Sequence, residues 1–127
     1  MHIIDLVGRI FLSALFLIEG VGKLFAQEQV ITYMEDYGVP GILFVPAAVV
    51  EILFPLLLIV GYKTRLSAIV LAAFTILLAV IFHTDFSSQI QLTQFLKNFA
   101  IAGGFIIIFV YSPDKYSIDY ILKSKQK

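Results

Sequence analysis

Four stretches of the chain are apolar for long enough to cross a lipid bilayer, over residues 6–25, 41–60, 66–82 and 95–111. A helix rises ~1.5 Å per residue, so about 20 residues cross a hydrocarbon core roughly 30 Å thick. Inside that core the backbone must satisfy its own hydrogen bonds, and continuous apolar runs of this length do so as helices. The predicted fold class is therefore all-α: an integral membrane four-helix bundle, with a short interfacial helix between the first two spans. Residues 1–127 read as a single transmembrane domain. A cleaved leader would also begin with a basic residue and an apolar run, but Glu19 and Lys23 interrupt the first stretch.

Composition supports the membrane assignment and excludes several chemistries. The chain is 60% hydrophobic and 14% charged, against roughly 45–50% and about 25% in soluble domains. Nine basic residues balance nine acidic ones, leaving no positive field to hold nucleic acid. With no cysteine, there are no disulfides or thiolate metal ligands, and any redox role requires a bound cofactor. His2 at the terminus cannot complete a site with His83, so no metal is expected.

Cytoplasmic flanks collect Lys and Arg. Arg9, Lys63, Arg65, Lys115, Lys123, Lys125 and Lys127 fall on one side, whereas the other carries Glu28, Glu35, Asp36 and Asp85 and, within or at the edge of spans, only Lys23 and Lys97. Both termini are therefore expected to be cytoplasmic. Val30, Tyr33, Met34 and Tyr37 repeat at helical spacing before Gly38, which predicts a short helix with its apolar stripe against the outer leaflet. Ser112 and Pro113 are expected to end the fourth span. The tail beyond them, with Tyr116, Ile118, Tyr120 and Ile121 among lysines, is expected to rest on the inner leaflet. Gly20, Gly22, Ala68, Ala72, Ala73, Ala79, Gly103 and Gly104 supply small residues for close helix packing.

Ionisable groups within a span cost upward of about 2.5 kcal/mol each, so they turn inward and pair or work. Counting ~1.5 Å per residue, Glu19 and Glu51 lie near mid-membrane. Lys23, Lys97 and Asn98 lie about a turn further out, with His83, Asp85 and Gln94 at the outer ends. These elements can converge on one polar pocket in the outer half, whose candidate ligand-binding residues are Glu19, Lys23, Glu51, His83, Lys97 and Asn98. Glu19 and Lys23 have the i, i+4 spacing of an intrahelical ion pair, which leaves Glu51 and Lys97 as partners across the bundle. Two readings stay open: pairs that merely fix helix register, or a site for the polar head of an amphipathic ligand or for a proton. Pro55 would clash with the carbonyl of Glu51 and bare it at mid-membrane, which favours a site.

The chain resembles the DoxX family of small bacterial membrane proteins. The resemblance rests on Gly8-Arg9, Gly20 with Lys23, Gly38-Val39-Pro40, Glu51 followed by Gly61-Tyr62-Lys63-Thr64-Arg65, His83, and Tyr116-Ser117-Ile118-Asp119, covering roughly residues 5 to 120. It implies a four-helix protein of the bacterial inner membrane and an oxidoreductase component. Relatives form the membrane part of a terminal quinol oxidase or of a thiosulfate:quinone oxidoreductase. No catalytic residue carries over. The expected function is the membrane subunit of a quinone-linked redox complex, with quinone as the cofactor and membrane lipid, redox-complex proteins or a second copy as partners. The alternatives are a non-catalytic scaffold that assembles partner membrane proteins, and a small-solute or proton transporter.

Overall fold

The computed structural model describes residues 2–111 and 118–125. Ser112, Pro113, Lys115, Tyr116, Ser117 and Lys127 lie outside those residues. The elements are α1 (His2–Phe25), α2 (Gln27–Asp36), a 3-10 turn (Gly41–Leu43), α3 (Phe44–Val60), α4 (Thr64–Phe82), α5 (Gln89–Tyr111) and α6 (Ile118–Lys125), with no strand among the described residues. The chain is all-α. α1 packs on α3, α3 on α4 and α4 on α5, while the seam between α1 and α5 is the loosest in the ring.

Three helical segments are long and apolar enough to cross a membrane: Gly41–Val60, Thr64–Phe82 and Gln89–Tyr111. Only 28%, 33% and 11% of their apolar windows are buried inside the fold, so most of that surface must face hydrocarbon. Outward side chains such as Phe11 at 73%, Ile18 at 73% and Ile107 at 61% exposure form far more apolar surface than a water-soluble monomer carries. α1 is equally long at 24 residues but carries Asp5, Arg9, Glu19 and Lys23, above the charge of an unassisted span. Three of these charges are paired within the fold, Asp5 with Arg9 and Lys23 with Glu51.

Local chemistry sets the corners. α2 ends as the Gly38 spacing predicts: Gly38 adopts φ +81°, its N–H donates to Glu35 O, and Val39 N–H donates to Met34 O. That pair of bonds is a Schellman motif. α3 ends at Gly61, φ 73°, whose N–H donates to Leu57 O. α5 begins at Gln89, six residues before the apolar run used to predict it. Its first six residues mix Gln89, Gln91, Thr93 and Gln94 with Ile90 and Leu92 and so read only weakly in hydropathy. Ser88 supplies the cap instead, its Oγ accepting from Gln91 N–H at 3.4 Å, the first half of a capping box.

The core proper lies in the half of the bundle away from α2: Phe16, Leu58, Ala68, Leu71, Ala72, Ala102 and Phe105. Phe16 and Phe105 meet edge to face at 5.5 Å between centroids. The small residues divide into two groups. Ala68, Ala72 and Ala79 are buried between helices, whereas Ala73 is exposed and a Cβ added at Gly22 or Gly103 would meet nothing within 4 Å. At Gly20 an added Cβ would lie 2.9 Å from Ile52 Cγ1 and 3.1 Å from Glu51 Cβ. Gly20 therefore sets the α1–α3 approach. Gly20→Ala is expected to destabilise by about 1–3 kcal/mol through overpacking. Gly22→Ala, two residues away, is expected to be neutral or slightly stabilising. Thermal unfolding of both variants in one detergent compares them directly.

At the opposite end, Asp119 of α6 binds the α3–α4 corner. Its carboxylate accepts from the N–H groups of Lys63 and Thr64, both at 2.9 Å, and its own N–H donates to Gly61 O at 2.8 Å. Lys63 holds φ 50°, an unusual conformation for a residue with a Cβ, and α4 starts directly after it. A carboxylate at a helix N-terminus both satisfies orphan N–H groups and complements the helix dipole.

Candidate functional site

The i, i+4 spacing of Glu19 and Lys23 suggested a pair along α1, leaving Lys97 for Glu51. The structure pairs them differently. Lys23 Nζ donates across to Glu51 Oε1 at 2.5 Å, and Glu51 is fully buried. Glu19 and Lys97 are exposed, and neither has a hydrogen-bond or ion-pair partner among the described residues. The reason is solvation. A carboxylate sealed between α1 and α3 has no water to replace the ammonium, whereas Glu19 stands at an open face. The close approach at Gly20 brings Lys23 within reach of the neighbouring helix.

A cavity of about 300 Å³ lies beside this pair. Its walls include Glu19 and Lys23 from α1, Phe74, Thr75 and Leu78 from α4 with His83 just past its end, and Gln94, Lys97, Asn98 and Ile101 from α5. Glu51 is not on the wall; Lys23 stands between it and the cavity. The sequence therefore identified five side chains that share one cavity, and a sixth that sits behind one of them.

α2 covers the cavity. Its stripe of Tyr33, Met34 and Tyr37, expected against the outer leaflet, instead meets Phe82 of α4. Tyr33 stacks on Phe82 at 5.2 Å, Tyr37 meets the same ring edge-on at 5.1 Å, and Met34 is buried. Tyr33 and Met34 line the cavity. Burial first, and the adjacent Tyr37 hydroxyl second, push the Tyr33 hydroxyl up to about 12, so it remains a proton-bearing donor at physiological pH.

Two polar side chains on the wall are oriented by neighbours. His83 Nδ1 lies 3.1 Å from Gln91 Oε1. With Nδ1–H donating to that oxygen, Nε2 is left as a bare acceptor. Asn98 Nδ2 donates to the Thr75 carbonyl at 3.3 Å, which fixes the amide and leaves its Oδ1 as an acceptor. The cavity thus combines an apolar wall with convergent polar groups that can accept and donate protons, the usual composition of a small-molecule site.

Arg9, one of the basic residues in the flanking pattern, is fully buried. Its Nη1 donates to the carbonyls of Leu58 and Ile59 at 3.0 and 2.9 Å, and its Nε donates to Asp5 at 3.1 Å. It is a cation placed on the C-terminal carbonyls of α3, where the helix dipole favours it. The one available sequence signal was Asp5 four residues earlier.

The DoxX family profile matches residues 4–84. The chain is 37% identical over 120 residues to inner membrane protein YqjF of Escherichia coli (strain K12), covering 94% of this chain and 92% of that protein. It is 29% identical over 121 residues to inner membrane protein YphA of the same organism, covering 90% and 86%. No solved structure matches the chain significantly.

Proposed function

The chain belongs to the DoxX family, and from that premise we propose that it is the inner-membrane subunit of a quinone-linked redox complex, its cavity receiving the quinone head group. In this reading 1–127 forms one four-span unit. α1 is the fourth span, tolerated because Arg9 is paired with Asp5 and Lys23 with Glu51. Both termini face the cytoplasm and the cavity opens in the outer half. The relatives are named inner membrane proteins, which supports the location.

The observation that carries the reading is the cavity: about 300 Å³ within a bundle whose apolar helices face hydrocarbon, apolar on most of its wall with a few polar side chains converging on it. A quinone head is a flat apolar ring with two carbonyl acceptors. Lys97 and the Tyr33 hydroxyl can donate to such carbonyls. With Nδ1–H donating to Gln91, His83 Nε2 can take a proton that a quinol hydroxyl gives up, and the Glu19 carboxylate can take the other. Lys23 holds its ammonium against Glu51 and keeps the inner wall of the cavity electrically balanced. Oxidation of a quinol to a quinone releases two electrons and two protons; the residues named here handle the protons, and a partner of the complex takes the electrons.

Extraction of the purified protein is expected to yield quinone enriched over bulk membrane lipid. His83→Ala and Lys97→Met are each expected to lower the retained quinone roughly tenfold, equivalent to about 1.4 kcal/mol. Quinone at the bulk-lipid ratio in the unmodified protein would refute the assignment.

A further inference from the structure

Two opposite charges on the cavity wall have no partner among the described residues: Glu19 of α1 and Lys97 of α5. The third charge on that wall, Lys23, is already neutralised by Glu51. The wall therefore presents one uncompensated carboxylate and one uncompensated ammonium.

Their placement along the seam is equally informative. α1 and α5 meet at Phe16 and Phe105, and Leu12 lies against Gly104, where an added Cβ would sit 3.4 Å from it. Beyond that contact the seam is loose and the cavity begins. Glu19 is three residues past Phe16 and Lys97 eight residues before Phe105. At ~1.5 Å per residue the two backbones are offset along the bundle by roughly 8 Å. A single ligand that satisfies both groups carries a cation and an anion separated by several bonds, and in a bundle whose apolar helices face hydrocarbon the molecule at hand with both is a lipid.

We propose that the cavity binds the head group of a zwitterionic phospholipid, its ammonium at Glu19, its phosphate at Lys97, and its acyl chains leaving through the α1–α5 seam. The lipid and a quinone head compete for the same volume, but the lipid assignment does not depend on the quinone reading. An anionic phospholipid meets Lys97 equally well and leaves Glu19 facing a phosphate without a cation between them. The site therefore discriminates by the ammonium.

The test uses the full chain in detergent, with phosphatidylethanolamine and phosphatidylglycerol of identical acyl chains added together and retained lipid read by native mass spectrometry. The unmodified protein is expected to retain one ethanolamine lipid, favoured about tenfold over the glycerol lipid, the scale of a single charge-assisted contact. Glu19→Gln abolishes the preference, Lys97→Gln lowers retention of both lipids, and Glu19→Lys with Lys97→Glu restores ethanolamine retention with the head group reversed. Equal retention of the two lipids by the unmodified protein, or a preference unchanged by both single substitutions, overturns the proposal. Preferential retention of the glycerol lipid overturns it too and assigns the cavity to an anion. Ethanolamine lipid retained without enriched quinone defeats the quinone reading alone; enriched quinone without lipid preference defeats this one alone.

Discussion

Lys23→Met destabilises the protein by about 3–5 kcal/mol, because it leaves the carboxylate of Glu51 buried with no counter-charge. The ion pair itself is a poor source of net stability, since both groups lose water to form it. The loss comes from breaking the pair on one side. Adding Glu51→Gln to Lys23→Met is therefore expected to recover most of the deficit, and Glu51→Leu with Lys23→Met to bring stability close to that of the unmodified chain. With the single variant Glu51→Gln added, the unmodified chain, Lys23→Met, Glu51→Gln and their combination form a double-mutant cycle, measured by unfolding in mixed micelles of rising SDS content. A single-variant loss below about 1 kcal/mol, the range of exposed pairs, would show that the carboxylate is solvated in the bilayer and not sealed.

Arg9→Met produces the second large effect, about 2–4 kcal/mol, from loss of charge-assisted bonds and of a fully buried long side chain. Arg9→Lys is expected to recover less than half. The guanidinium reaches two carbonyls through Nη1 and Asp5 through Nε at the same time, a planar fork that a single ammonium cannot reproduce. Full recovery by lysine would reduce Arg9 to a simple point charge. Unlike Lys23→Met, this variant is expected to be rescued only in part by a second substitution at Asp5, because the other two acceptors that lose Arg9 are backbone carbonyls.

The gross architecture was legible because hydrocarbon imposes few rules and imposes them strongly. Apolar run lengths located α3 and α4 to within a few residues, and Gly38 marked the end of α2 through its need for positive φ. The start of α5 was not legible by the same means. Gln89, Gln91, Thr93 and Gln94 are polar, and the signal lay in Ser88 and Gln91 at capping-box spacing. The candidate site was legible as a set and not as a wiring diagram. Inward-facing ionisable groups on several helices implied a common pocket, but choosing partners requires knowing which groups lack water. Sequence spacing favoured Glu19 for Lys23, whereas burial of Glu51 and the absence of a side chain at Gly20 decided otherwise. Arg9 and the α2 stripe escaped for a related reason. A flanking charge and a buried charge, or a lipid-facing and a protein-facing aromatic, have the same letter and the same periodicity.

The clamp that Asp119 places on the α3–α4 corner has a temporal consequence. Lys63 and Asp119 are 56 residues apart, so at ~5–20 residues per second the carboxylate leaves the ribosome roughly 3–11 s after the backbone it fastens. During that interval the nascent α4 has bare N–H groups at its first turn, and the left-handed Lys63 has nothing to hold it there. Synthesis of the long helices and locking of the α3–α4 corner are thus successive events, and the order in which the chain is made delays the lock until α5 has been synthesised.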